Sequence, residues 1–457
     1  MKIKRFIAKD VHGFLDFDIE FFDDITFLIG INGSGKTSAL KLILGLLNPS
    51  YENLSKIDYA YCKIYLDHDD TDVEITSIQE DSTHFKLMLS TVGKELVSNK
   101  FKRSIEFLDD LDDESSDLKA QDGWKSIFGM DGVVKKIKQM NSPKFLGLER
   151  RVLDEYGTRE RRFSPNRPSH YTRNHKLKRF NPIDSSLLDV QILIYDYIRK
   201  IAQKQPEISG QFKDKIFRQS FNFIEDNSIF SHRTNEVELL ERKDSIIEAV
   251  VKLELEYLVH DVENYFLQMV KLANEMNNPS IITESKSENL ENKRDKRIST
   301  WLNNYPQLKK IDEIIKFSNE YQKQIDELRT PINKLKLIVS KFFNEGNKFL
   351  EIAPDGEIQV FYKNGNLAEL YNLSSGEKQI IIMIAHLIFA EDLQDAGVFI
   401  IDEPELSLHI TWQEIFVDAI LEASPHTQFI LATHSPSIIS KTEREMFYQD
   451  ISKSYNA

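Results

Sequence analysis

Apolar and polar residues alternate in short runs through residues 1 to about 95: 2–8, 14–22, 25–29, 59–67, 72–78 and 84–90. Period-two alternation sets one strand face on a core and the other in water, so these runs predict a sheet-rich lobe. One helical pattern, residues 38–47, breaks the series. From Ser185 to Asn347 the period changes. Apolar positions recur three and four residues apart in 187–201, 212–224, 237–276 and 308–343, the mark of amphipathic helices. Residues 237–276 would span about 60 Å as one helix, but they keep no strict heptad, so a short bundle is expected rather than a long coiled coil. The charge-dense stretch 285–297 reads as an exposed connection at the tip of this arm. Strand character returns at 349–352 and 357–361, joined through Asp355-Gly356, a hairpin turn signal. No internal repeat is evident. The expected division is an N-terminal lobe at 1–150, a loop at 151–184, a helical arm inserted at 185–347 and a C-terminal lobe at 348–457.

Composition narrows the class. A chain of 457 residues, 41% of them apolar, suffices for two or three domains with a sizeable core. Its longest apolar run, 380–390, is interrupted by His386 and would rise only about 17 Å as a helix, against about 30 Å for a bilayer core. No membrane span is expected. The N-terminus alternates like a strand and lacks the apolar stretch of a secretory signal. Cys62 is the sole cysteine, which excludes a disulfide framework and points to a reducing, cytoplasmic setting.

The formal charge of −14 argues against indiscriminate coating of nucleic acid. Its distribution matters more. Residues 105–118 form a dense carboxylate run without the spaced ligands and glycine turn of a calcium loop, so they read as a solvated loop. After an expected buried strand at 144–151, which ends in charge, the balance inverts. Between Arg150 and Arg179 stand Arg150, Arg151, Arg159, Arg161, Arg162, Arg167, Arg173, Lys176, Lys178 and Arg179, against Asp154, Glu155 and Glu160. Tyr156, Phe163, Tyr171 and Phe180 are interleaved. Cations with aromatics in a Pro/Asn/Ser-rich loop suit nucleic acid with exposed bases, the acidic surface of a partner, or a solvated loop.

The sharpest chemistry lies at Gly30-Ile31-Asn32-Gly33-Ser34-Gly35-Lys36-Thr37, between the strand at 25–29 and the helix at 38–47. This is the full G-x-x-x-x-G-K-[ST] pattern in strand-loop-helix context. Its glycines let backbone N–H groups close around an anion at the positive end of a helix. A nucleoside triphosphate is the expected ligand, with Lys36 on its β- and γ-phosphates and Thr37 completing a Mg²⁺ shell. Downstream, Leu373-Ser374-Ser375-Gly376-Glu377-Lys378-Gln379 precedes an apolar helix, so small polar residues and a glycine sit at a helix start. The apolar strand Val398-Phe399-Ile400-Ile401 ends in Asp402-Glu403-Pro404-Glu405. Asp402 is placed to hold Mg²⁺, and Glu403 to orient and deprotonate the attacking water. A further apolar strand, 429–432, leads to His434, which would contact the γ-phosphate and register its loss.

Together these motifs resemble the ATP-binding-cassette class of ATPases, in the branch containing RecF, SMC-type proteins and OLD nucleases. Residues 30–37 correspond to Walker A, 373–379 to the signature, 398–403 to Walker B, 405–409 to the D-loop and His434 to the switch histidine. The resemblance covers about 1–95 and 345–440. It implies an α/β fold, an ABC-type P-loop nucleotide-binding head (mixed sheet with flanking helices) interrupted by a long helical arm insertion. It implies ATP and Mg²⁺ as cofactors, and an ATP site made of Gly30, Asn32, Gly33, Ser34, Gly35, Lys36 and Thr37. Ser374, Ser375, Gly376 and Glu377 would be supplied in trans by a second copy, in a head-to-tail homodimer or higher oligomer. Catalysis falls to Glu403 and His434, and metal binding to Thr37 and Asp402. Ser375 stands where many members have glycine, and Glu377 replaces the glutamine of transporter cassettes. The Q-loop glutamine has no evident counterpart; Glu149 is the candidate position.

OLD nucleases carry a TOPRIM domain after the histidine motif, whereas 437–457 is too short for one, so any nuclease is expected to be a separate chain. Size, arm and ending resemble the PtuA-type ATPase subunits of Septu antiphage systems, whose partner is an HNH-type nuclease. The implied role is an ATP-gated defence regulator with that partner, and with nucleic acid as a further one. The alternative is a RecF/SMC-like DNA-repair or chromosome-maintenance clamp without a nuclease. A transporter energiser ranks last, because the long insertion is unsuited to docking on membrane helices.

Overall fold

The computed structural model describes residues 1–80, 84–99, 128–140, 143–147, 152–153, 182–221, 236–277, 288–390, 397–439 and 447–451. The carboxylate run at 105–118, Glu149 and, apart from a two-residue strand, the basic loop lie outside them. Strands β1 (Lys2–Val11), β2 (Leu15–Glu20) and β3 (Ile25–Ile29) open the chain, followed by helices α1 (Lys36–Leu47) and α2 (Tyr51–Lys56). Next come β4 (Tyr61–His68), β5 (Thr71–Gln79), β6 (His84–Leu89) and β7 (Val92–Asn99). The order β2-β1-β4-β5-β6-β7 forms one antiparallel sheet. Cys62, Ile64 and Leu66 on β4 and Phe85, Leu87 and Leu89 on β6 are buried, as alternation requires of a sheet with one wet face.

Helix α3 (Gly132–Gln139) and strands β8 (Lys144–Leu146) and β9 (Val152–Leu153) precede four long helices. These are α4 (Pro182–Ser220), α5 (Glu236–Lys252), α6 (Val259–Asn277) and α7 (Glu288–Phe343). Strands β10 (Lys348–Ile352), β11 (Ile358–Tyr362) and β12 (Leu367–Ala368) make a small antiparallel sheet. The chain ends through α8 (Ser375–Phe389), β13 (Val398–Asp402), α9 (Ile410–Ala423), β14 (Gln428–Ala432), α10 (Pro436–Ile439) and β15 (Tyr448–Asp450). A second six-stranded sheet has the order β15-β3-β14-β13-β8-β9 and is parallel throughout except for β9. Every residue of β13 and β14 is buried, which is why 398–401 and 429–432 within them read as unbroken apolar runs.

Helix α1 packs between the two large sheets. Leu40, Ile43 and Leu46 share a core with Phe6, Ile64, Ile75 and Phe85 of the antiparallel sheet and with Leu28, Ile400 and Ile430 of the parallel one. At about 1.5–3 kcal/mol per large apolar side chain, this shared burial fixes the helix that starts at Lys36. Gln428 joins the sheets by polar contacts: its side chain accepts from Ile3 N–H at 2.7 Å and donates to Ile3 O and Phe22 O, each at 2.8 Å.

The chain divides into two compact units, Met1–Tyr197 with Ile332–Ala457, and Ile198–Pro331. In the second unit Leu239, Ile246, Phe266, Met269, Trp301 and Tyr305 form a separate core. Residues 237–276 are not one helix: the chain breaks between α5 and α6, where Glu254 takes φ +59°, and the two helices pair. The charged stretch at 285–297 corrects in the other direction. From Glu288 it is helix, because Glu, Lys, Arg and Asn at these positions carry no breaker. The two patterns at 187–201 and 212–224 are likewise one helix as far as Ser220, running through Pro206.

Candidate functional site

The parallel register brings the ends of β3, β13 and β14 level, pairing Asp402 with Ala432 and Ala432 with Leu28. The loops leaving these strands therefore meet at one sheet edge, where ligands of open α/β sheets bind. After β3, Gly33 and Gly35 both take φ +86°, and Gly35 is the N-cap of α1. A Cβ on Gly35 would stand 2.7 Å from the Phe17 ring and 2.8 Å from Leu15, so both backbone and space demand glycine. Ser34 is buried beneath Gly30, while Ile31, Asn32 and Gly33 are exposed.

Lys36 is 6% exposed, and its ammonium donates to the carbonyls of Gly30 at 2.8 Å and Ile31 at 3.3 Å. His434 Nδ1 lies 3.4 Å away. Burial pulls the Lys36 amine below its ordinary value, although Glu403, Asp402 and Glu405 draw it back. Thr37 Oγ1 donates to Asp402 Oδ2 at 3.1 Å. Asp402 is 4% exposed, and its Oδ1 is buried without a hydrogen-bond partner. Burial raises its carboxyl above its ordinary value, against the Thr37 hydrogen bond. An orphaned carboxylate oxygen beside a hydroxyl fits a hard cation. No group of three or more His, Cys, Asp or Glu able to hold a metal occurs among the described residues. Thr37 Oγ1 and Asp402 are the two groups here that could hold such a cation.

Glu403 takes φ +50°, an uncommon conformation for a non-glycine residue, and its N–H is held by Ala432 O at 2.8 Å. This turns the side chain out of the strand line, with Oε1 3.7 Å from His434 Nε2. Glu405 holds the histidine loop in turn: its Oε1 accepts from His434 N–H at 2.7 Å. Gln413 adds a second tie, accepting from Ser435 Oγ at 2.6 Å and donating to Leu408 O at 2.9 Å. The sequence motif did not announce these side-chain links between the D-loop segment and the histidine loop.

Helix α8 begins at Ser375, five residues before the apolar run, because Ser374 and Glu377 form a capping box. Ser374 Oγ accepts from Glu377 N–H at 3.2 Å, and Glu377 Oε2 accepts from Ser374 N–H at 2.9 Å. Ser374 and Ser375 are exposed, whereas Gly376 and Glu377 are buried. Glu377, which the resemblance puts among the ATP contacts, turns its carboxylate in this chain to Ser374 N–H and to Lys348 Nζ at 2.8 Å. A Cβ on Gly376 would meet Ser407 O at 2.4 Å, so glycine there permits the start of α8 to approach the turn Pro404–Ser407.

Parts of the sequence are shared with known proteins. Over 92 residues the chain is 34% identical to a retron Vc95 probable ATPase of Vibrio cholerae serotype O1 biovar El Tor, covering 18% of each chain. Over 159 residues it is 24% identical to a retron Ec83 probable ATPase of Escherichia coli, covering 29% of each. The matched segments thus span less than a third of either relative. Among solved structures, the chain is similar to the Smc head domain with an extended coiled coil, bound to the C-terminal domain of ScpA, from Pyrococcus furiosus. That likeness has 16% identity and a TM-score of 0.40, over 96% of this chain and 91% of the other. The SMC head domain from Thermotoga maritima gives 11% identity and a TM-score of 0.37, over 96% and 92%. The order and register of the strands, not this likeness, carry the fold. The AAA ATPase domain, AAA_15, matches residues 1–439, and the chain belongs to that family.

Proposed function

We propose that this chain binds and hydrolyses ATP as the regulatory subunit of an antiphage defence complex, gating a separate HNH-type nuclease through ATP-dependent dimerisation. The observation that carries the ATPase reading is the meeting of Lys36, Thr37, Asp402, Glu403 and His434 at one sheet edge. The likeness to two retron probable ATPases supports the same half. The nuclease partner and the antiphage setting rest on the resemblance to Septu ATPase subunits, and the contribution of Ser374 in trans rests on the resemblance to the ATP-binding-cassette class. Among the described residues no helix is long and apolar enough to cross a membrane.

The loop N–H groups and Lys36 cradle the phosphates, and Lys36 exchanges its carbonyl partners for phosphate oxygens. Thr37 and Asp402 would hold Mg²⁺, which supplies charge neutralisation at the β- and γ-phosphates. Glu403 orients the attacking water and accepts its proton. His434, with one ring nitrogen toward Lys36 and the other toward Glu403, is placed to report loss of the γ-phosphate to the loop that Glu405 anchors.

The test is purification with the product of the neighbouring reading frame, then phosphate release and nuclease assays with and without Mg-ATP. ATP turnover, and cleavage whose rate depends on nucleotide, are expected. Turnover with no co-purifying nuclease would move the reading to a DNA clamp, and absence of turnover would remove it.

A further inference from the structure

Buried charge holds the turn that opens α8 from two sides. Glu377 Oε1 takes the Lys348 ammonium at 2.8 Å, the side chains being 10% and 16% exposed. Lys378 Nζ, 9% exposed, donates to Asp184 Oδ1 at 2.8 Å and to Tyr371 O at 2.6 Å. Asp184 lies in the first turn of α4, and Lys348 opens β10 just after α7. Successive residues of the turn are therefore tied to the start of one long helix and to the chain leaving another. Partly buried ion pairs add little net stability, because desolvation offsets their attraction, so their main product here is geometry. That geometry serves Ser374. Its oxygen accepts from Glu377 N–H, which leaves the hydroxyl proton free to be donated outward, and the residue is exposed at the positive end of α8.

We infer that Asp184 and Lys348 are positioning residues of the signature turn, setting the direction in which Ser374 offers its hydroxyl to a phosphate held by a second copy. The inference rests on the composite-site reading given under Proposed function. Lys348 acts through Glu377, which caps Ser374, and Asp184 acts through Lys378, which also fixes the carbonyl of Tyr371 just before the turn. Displacing the start of α4 or the exit from α7 would alter turnover without altering ATP affinity.

Asp184→Asn and Lys348→Met should each lower phosphate release about tenfold or more, with ATP affinity within about twofold of wild type, the pattern of an interaction used only in the transition state. Lys348→Arg should recover most of the loss. The decisive measurement mixes each variant with Lys36→Ala. A mixed pair then holds one site made from a sound Walker A and a sound signature, so turnover should return. Should Asp184→Asn fail to fold, Lys348→Met carries the same test. A control mixes Lys36→Ala with Ser374→Arg. Recovery in the control but not with Asp184→Asn or Lys348→Met overturns the inference alone; no recovery in the control overturns the composite site beneath it. Unchanged turnover in both variants, or ATP affinity falling in step with turnover, also overturns the inference.

Discussion

Glu403 and Asp402 are adjacent carboxylates in different surroundings, and the proposed function gives them different work. Asp402 is buried against Thr37, whereas Glu403 swings out of the strand through its positive φ toward His434. Glu403→Gln keeps the shape and removes the proton acceptor, so turnover should fall by about 10²–10⁴ with ATP affinity retained; quench-flow phosphate release with nucleotide-binding titration checks both. Glu377 carries a pH signature. Burial pushes its carboxyl up, but hydrogen bonds from Lys348 and Ser374 N–H prevail and hold it below the ordinary value of 4.5. The folded chain therefore binds this proton less readily than the unfolded chain. The stabilisation is present above pH 4.5 and is lost as pH falls through the depressed value. Melting curves from about pH 6 to about 3 should be flatter for Glu377→Gln than for wild type, and parallel curves would refute the coupling. The residues that a motif names were legible: Lys36, Thr37, Asp402 and His434 each follow a strand whose end the apolar pattern marks. Lys348, Asp184 and the amide cap by Glu405 were not. Their partners lie 29, 194 and 29 positions away, and a single sequence records neighbours along the chain, not across it.

Glycine and glutamine at two element junctions decide whether the sheets and helices keep their places. Gly376→Ala puts a methyl 2.4 Å from Ser407 O, where backbone must yield. The expected cost is about 1–3 kcal/mol, with turnover lost as α8 separates from the turn at Pro404–Ser407. Chemical denaturation of the variant beside its ATPase rate measures the two effects. Gln428→Leu leaves the Ile3 N–H and two carbonyls buried where β14 meets β1 and the chain after β2. At about 1–3 kcal/mol for a buried N–H left unpaired, a loss of about that size is expected in the same assay from Ile3 N–H alone. Strands were the readable elements, since period-two alternation in β1, β4, β5 and β6 and the solid apolar runs of β13 and β14 report burial on one face or two. Helix limits were less so. Periodicity continues across the break at Glu254, because the residues on both sides face one core, and α7 begins in a charged stretch that has no apolar stripe to reveal it.

For the whole molecule, charge opposes the association that the proposed cycle needs. Each chain carries a formal −14, so two copies closing around ATP bring like charge together. Bound triphosphate adds more negative charge, which Lys36 and the helix ends at Gly35 and Ser374 are placed to meet among the described residues. Closure should therefore depend on nucleotide: Glu403→Gln with Mg-ATP should elute at twice the monomer mass in light scattering, and Lys36→Ala should stay monomeric under the same conditions. Salt separates the long-range term from the local one. The Debye length is about 30 Å at 0.01 M and about 8 Å at 0.15 M, so added salt removes repulsion between whole chains before it weakens partly buried contacts at the site. The nucleotide-trapped dimer of Glu403→Gln should form more tightly as ionic strength rises across that range. A dimer that loosens with salt would mean that attraction between exposed charges, rather than the phosphate bridge, drives closure.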